Sequence, residues 1–153
     1  MAQPTTGRIA GIDYGTVRVG IAITDAARTL ASPLEQYQRG DEAADAKFFG
    51  ELVQQESIQH FVVGLPVHLS GLESQKSIEA RQFGAWLEKH TGIPVVFYDE
   101  RFTSKEADEL LADSGLTKDQ RKSRRDMLAA QILLRDYLAA GQPPTEPPQP
   151  LDD

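Results

Sequence analysis

The chain has 153 residues, 40% hydrophobic and 25% charged, a balance that suits one globular domain with a real core. It has no cysteine, which excludes disulfides, thiolate nucleophiles and thiolate metal sites and is compatible with a reducing compartment. The formal net charge of −7 argues against a non-specific nucleic-acid coat, but the charge is uneven: Lys118–Arg125 holds five bases and one acid, and the last thirteen residues hold three acids and no base.

In chain order, MAQPTTGR lacks an apolar signal core, and no later run approaches the roughly 20 residues of a membrane span, so a soluble, cytoplasmic protein without membrane contact is expected. Arg8–Asp25, RIAGIDYGTVRVGIAITD, holds two short apolar runs around Asp13-Tyr14-Gly15-Thr16 and reads as a β-hairpin. Gly15 is expected to supply a positive φ for its turn. With a period of two, Ala10, Ile12 and Tyr14 share one face of the first strand, and Ile9, Gly11 and Asp13 the other. Leu30–Tyr37 reads as a third antiparallel strand. Asp41 is a candidate N-cap for a helix to about Glu56, with Phe48, Phe49, Leu52 and Val53 on the stripe that packs against a sheet.

His60–Pro66 is a short apolar run after a helix and reads as a buried parallel strand. Ser70-Gly71-Leu72-Glu73 has the spacing of a capping box and predicts a helix to about His90, stopped by Thr91-Gly92. Pro94–Tyr98 reads as another buried strand, leading into Asp99-Glu100-Arg101. Thr103–Glu106 is a second capping-box pattern opening a short helix that ends near Gly115. The last helix is expected over Arg124–Ala139, with Lys118–Arg125 a loop before it. The tail from Gly141 holds five of the nine prolines and is expected to be disordered, leaving a folded domain over residues 1–140. The order β-β-β-α-β-α-β-α-α predicts an α/β fold: a five-stranded mixed sheet with helices on both faces.

Three carboxylates stand where packing alone would not put them. Asp13 ends the first strand in phase with apolar residues. Glu100 lies at the carboxyl end of a buried strand, where open α/β sheets place ligands. Asp126 shares a helical face with Ala130, Leu133 and Tyr137 and so faces the sheet. Each has a bland alternative: turn chemistry for Asp13, an ion pair with Arg101 for Glu100, a first-turn acid for Asp126. Together they are better explained by a cation, because crowded carboxylates repel unless neutralised. An oxygen-only donor set suits Mg²⁺ or Mn²⁺ rather than Zn²⁺.

The sequence resembles the YqgF family, the Holliday-junction-resolvase-like branch of the ribonuclease H superfamily. The matching pieces are GIDYGTVRVGIAITD, the VVGLP strand with the following Gly71, DERFTS, and DMLAAQILLRDYL. They span nearly the whole chain apart from the tail. Ser104 stands where the family usually has a second threonine, which keeps a hydroxyl. The resemblance implies a ribonuclease-H-like fold with strand order 3-2-1-4-5, catalytic acids at Asp13, Glu100 and Asp126, and processing of the 5′ end of pre-16S ribosomal RNA or, by homology, junction resolution on DNA. The expected activity is metal-dependent phosphodiester hydrolysis, with Asp13 shared between two ions and Glu100 and Asp126 completing the ligand set.

Asp13–Thr16 also looks like the phosphate loop of the sugar-kinase, actin and Hsp70 ATPases. Those proteins close two such domains over a nucleotide, and this chain has length for one. A non-catalytic nucleic-acid-binding module is the other alternative. Arg18, Arg101, Lys105, Arg121, Lys122, Arg124 and Arg125 are candidate phosphate contacts, Arg18 and Arg101 first because they adjoin the acids. The expected partner is nucleic acid, precursor ribosomal RNA before structured DNA, for a monomer or homodimer. His60, His68 and His90 lack ligand spacing and read as structural or surface residues, and Trp86 as a core residue.

Overall fold

The computed structural model describes residues 6–66, 74–100, 109, 112 and 115–142, without the side chains of Glu100, Lys122 and Ser123. The elements are β1 (Arg8–Asp13), β2 (Arg18–Thr24), β3 (Ala31–Gln38), α1 (Glu42–Glu56), β4 (Ile58–Pro66), α2 (Gln75–Thr91), β5 (Val95–Glu100) and α3 (Lys118–Ala139). They form one sheet of order β3-β2-β1-β4-β5. The β1/β2 and β2/β3 pairs are antiparallel, and β1/β4 and β4/β5 are parallel. The expected α/β architecture and strand order are both present.

Strand alternation sorts the apolar residues into two layers. Ala10, Ile12, Tyr14, Phe61 and Val63 pack with Phe49 and Leu52 of α1 and Ala80, Phe83 and Leu87 of α2. Ile9, Ala22 and Val62 pack on the opposite face with Ala130, Leu133, Leu134 and Tyr137 of α3. Trp86 is half-buried against the first layer, and its indole Nε1 donates to Glu42 Oε1 at 3.1 Å. His60 is buried beside Tyr137, His90 lies against Trp86 at the surface, and His68 is outside the described residues.

Several local expectations are corrected. Gly15 does not have a positive φ; it is needed because a Cβ there would lie 2.3 Å from the Arg18 carbonyl oxygen. The helix α2 is capped by Ser74, whose hydroxyl accepts from the Ser77 N–H at 3.1 Å, so the Ser70–Glu73 pattern does not open it, and Ser70–Glu73 lies outside the described residues. The two serines are four residues apart, and the hydroxyl-to-N3 bond is made at the later one. The helix α3 begins at Lys118, not Arg124, so the basic stretch is helical rather than a loop. Thr117 and Gln120 form a reciprocal capping box of the Thr-x-x-Gln type, which satisfies two end donors ahead of a charge-rich first turn. Asp41 caps α1 as expected, accepting from Ala44 N–H at 2.8 Å. The Thr103–Glu106 pattern lies outside the described residues. Of the expected tail, Gln142 accepts a hydrogen bond from Arg28 Nη1 at 3.0 Å; residues 143–153 lie outside the described residues.

Candidate active site

Asp13 is the last residue of β1, and its cross-strand partner on β2 is Gly20. It is buried, 9% exposed, on the α3 side of the sheet. A Cβ at Gly20 would lie 2.0 Å from the Asp126 carbonyl oxygen and 2.3 Å from its carbonyl carbon. Only glycine therefore lets the backbone of α3 rest on β2 at this point. One turn further along, a Cβ at Gly11 would lie 3.1 Å from the Ala130 carbonyl oxygen. These two glycines form a seat that brings Asp126, from late in the chain, beside Asp13, from its start.

Asp13 and Asp126 line one cavity of ≈ 280 Å³ together with Tyr14, Thr16, Arg18 and Lys76. Arg18 Nε lies 3.6 Å from Asp126 Oδ2, an ion pair too long for a hydrogen bond, and that buried Nε has no hydrogen-bond partner. Buried donors are seldom left so, and a third group with oxygen acceptors would satisfy it. Lys76, exposed in the first turn of α2, adds a second base to the lining. Two acids and two bases thus share one small space: the acids can hold a cation, and the bases can hold an anion.

Lys76 was missed from the sequence. The available signal was its place in the first turn of the helix that follows a parallel strand, at the carboxyl edge where such sheets bind ligands. Glu100 ends β5 opposite Pro66 of β4, and β4 separates β5 from β1. The Glu100 side chain is outside the described residues, as are Arg101 and Lys105. Among the described residues, no three His, Cys, Asp or Glu side chains converge to hold a metal ion. Arg121, Arg124 and Arg125 lie in the first two turns of α3. At about 100° per residue, positions 118, 121, 122, 124 and 125 fall within an arc of about 160° on one flank of the helix, adjoining the phase of Asp126.

Behind the cavity a polar network braces Tyr14. Asp45 is 1% exposed and accepts from Tyr37 OH at 2.7 Å, Gly40 N–H at 2.9 Å and Arg39 Nε at 3.1 Å. Burial alone would raise its carboxyl pKa, but these hydrogen bonds outweigh it and hold the group below the usual carboxylate range. Arg39 also donates to Tyr14 OH at 3.2 Å.

Residues 7–140 match the RuvX family, described as Holliday junction resolvase. A protein of Rhodopirellula baltica named "Putative pre-16S rRNA nuclease" is 47% identical over 90% of this chain and 79% of its own length. A protein of the same name from Koribacter versatilis is 38% identical over 90% and 92%. Among solved structures, Thermus thermophilus RuvC in complex with a Holliday junction substrate aligns with a TM-score of 0.54 at 17% identity, covering 91% of this chain and 98% of that one. The fowlpox virus resolvase in complex with Holliday junction DNA aligns at 0.57 and 10% identity, covering 89% and 99%. These structural likenesses establish a common fold, and the match over residues 7–140 makes the chain a member of the RuvX, Holliday junction resolvase, family.

Proposed function

We propose that the protein is a nuclease that hydrolyses phosphodiester bonds in nucleic acid, with precursor 16S ribosomal RNA as substrate and the cytoplasm as its place of work. The observation that carries this reading is the cavity in which Asp13 and Asp126 meet Arg18 and Lys76. The names of the relatives favour precursor ribosomal RNA, and the family description favours a DNA junction. The same cavity chemistry serves either backbone.

The donor chemistry fits a divalent cation: Asp13 and Asp126 present carboxylate oxygens only, the set that suits Mg²⁺ or Mn²⁺. Asp13 and Asp126 would hold the ion, with Glu100 as a third ligand. Such an ion supplies Lewis-acid charge that stabilises the attacking and leaving oxygens of an in-line displacement. Asp13 sits on a strand hydrogen-bonded on both sides, so its position is rigid. Arg18 and Lys76 neutralise non-bridging phosphate oxygens, the buried Nε of Arg18 gaining the hydrogen-bond acceptor it lacks beside Asp126. Burial of Asp13 limits the screening of its own charge by bulk water.

The test is cleavage of precursor ribosomal RNA, single-stranded RNA and a four-way DNA junction in Mg²⁺, Mn²⁺ or EDTA. Cleavage of at least one substrate with metal, none in EDTA, and none by Asp13→Asn or Asp126→Asn at an unchanged Tm is expected. Full activity in chelator would sink the metal-dependent mechanism, and failure to cut any substrate would sink the nuclease assignment.

A further inference from the structure

The β1–β2 turn, Tyr14–Val17, carries a candidate site residue at each end: Asp13 is the last residue of β1 and Arg18 the first of β2. The turn and both flanking residues line the cavity of ≈ 280 Å³. Packing does not hold the tip of the turn, because Thr16 and Val17 are exposed. We infer that Arg39 is a positioning residue for this site, pinning the turn at both ends and so setting where Arg18 stands relative to Asp13. The inference rests on the nuclease reading of the preceding section.

Arg39 follows β3 and reaches the turn in two ways. Its backbone N–H donates to the Val17 carbonyl at 2.9 Å, one step beyond the Arg18–Gln38 pair of the β2/β3 ladder. That bond holds the residue before Arg18. Its side chain crosses to the other end of the turn, where Nη1 donates to the Tyr14 hydroxyl at 3.2 Å. That bond holds the residue after Asp13. Tyr14 packs in the layer under α1 and α2, whereas Asp13 faces α3, so the end of β1 is gripped from the side away from Asp126. The grip has a fixed base. Asp45 is 1% exposed in the first turn of α1, where the helix dipole favours a carboxylate, and it takes Arg39 Nε at 3.1 Å. Tyr37 OH and Gly40 N–H hold the same carboxylate. Asp45, Arg39 and Tyr14 thus form one link from α1 to the turn.

A direct contact between Arg39 and a phosphate fits less well. Arg39 lines a second cavity, of ≈ 420 Å³, and not the one that holds Asp13 and Arg18. Tyr14 lines both cavities, and α2 supplies Lys76 to the first and Phe83 to the second. The Arg39 guanidinium lies 5.5 Å from the Tyr14 ring centroid and 5.4 Å from that of Phe83, and Asp45 already matches its charge. The residue type matters for the link. A planar guanidinium bonds Asp45 and Tyr14 at the same time from two nitrogens, which the single ammonium of a lysine does not reproduce.

The test uses Tyr14→Phe, which removes only the hydroxyl, Arg39→Lys, which keeps a charge beside Asp45, and the two combined. Steady-state kinetics in Mg²⁺ on the substrate that the wild type cuts would be read beside Tm and the amide order parameters of residues 15–17. Each single variant is expected to lower kcat about tenfold at unchanged KM, with Tm lower by less than about 5 °C. The double variant should lose no more than either single one, because both changes break the same link. The order parameters should fall from about 0.85 toward about 0.6 in all three variants. Wild-type kcat in the folded single variants, or losses that multiply in the double, would overturn the positioning role. A raised KM at unchanged kcat would overturn it in favour of a direct substrate contact. Unchanged order parameters would overturn it on their own. A wild type that cuts nothing would remove the nuclease reading and leave the order parameters to decide whether Arg39 holds the turn.

Discussion

The seat under Asp126 can be tested with one methyl group. In Gly20→Ala the new Cβ would lie 2.0 Å from the Asp126 carbonyl oxygen, against the 3.0 Å below which such contacts essentially do not occur. The atom it meets is backbone, so no rotamer change relieves it, and α3 must retreat by about 1 Å. Overpacking of this kind costs about 1 to 3 kcal/mol, and for a domain of this size that lowers Tm by about 3 to 10 °C. The larger effect falls on catalysis, because a misplacement of about 1 Å in a reacting constellation costs about 100-fold in rate. Gly11→Ala is the internal control. Its Cβ would meet the Ala130 carbonyl and Leu134 Cβ at 3.1 Å, a fit that a few tenths of an ångström relieve, and it lies a turn away from Asp126. The assay is single-turnover cleavage at saturating substrate beside thermal melting of both variants. Gly20→Ala should lose cleavage far beyond its loss of stability, whereas Gly11→Ala should lose little of either. A Gly20→Ala enzyme that melts lower but cuts at close to the wild-type rate would refute the idea that this glycine sets the position of Asp126.

Two further outcomes follow from groups outside the site. His60 is buried, its Nε2 without a hydrogen-bond partner, and burial and the nearby Arg28 charge lower its pKa to about 4 from 6.5. The unfolded chain then binds the extra proton between those values, so stability is full above pH 6.5 and falls toward pH 4, by on the order of 3 kcal/mol in all. Melting at pH 7 and pH 4.5 should show that loss in the wild type and much less of it in His60→Leu; equal losses would place the acid sensitivity elsewhere. Replacing Arg121, Lys122, Arg124 and Arg125 with glutamine, which keeps helix propensity, should weaken substrate binding. The log–log salt slope should fall by about 0.7 to 0.9 per phosphate contact removed, measured in EDTA on uncut substrate, and an unchanged slope would make the basic flank of α3 merely solvated.

The parts of this protein that could be read from residues alone were those governed by local periodicity. Alternation in Arg8–Asp13 put Asp13 opposite Ile12 and on the side of Ile9, and the apolar layers are divided in that way. The 3.6-residue phase of α3 set Asp126 in line with Ala130, Leu133 and Tyr137, and that line faces the sheet. Helix ends were less legible, because capping depends on which of several nearby hydroxyls bonds to the backbone: Ser74 rather than Ser70, and Thr117 ahead of a run of charges.

Strand order came from the family resemblance, since short apolar runs do not say which neighbour they pair with. What the sequence determined by itself was therefore the identity of the described strands and helices and the phase of Asp13 and Asp126 on them. The tertiary structure alone decided which residues meet. Lys76 joins the acids because the first turn of α2 lies beside the end of β1, and Gly20 matters because it lies against a carbonyl 106 positions later in the chain. The two cavities are neighbours because Tyr14 is packed between them and α2 passes both. Contacts between residues so far apart leave no periodic trace in the chain, because they are set by the packing of whole elements and not by local conformational preference.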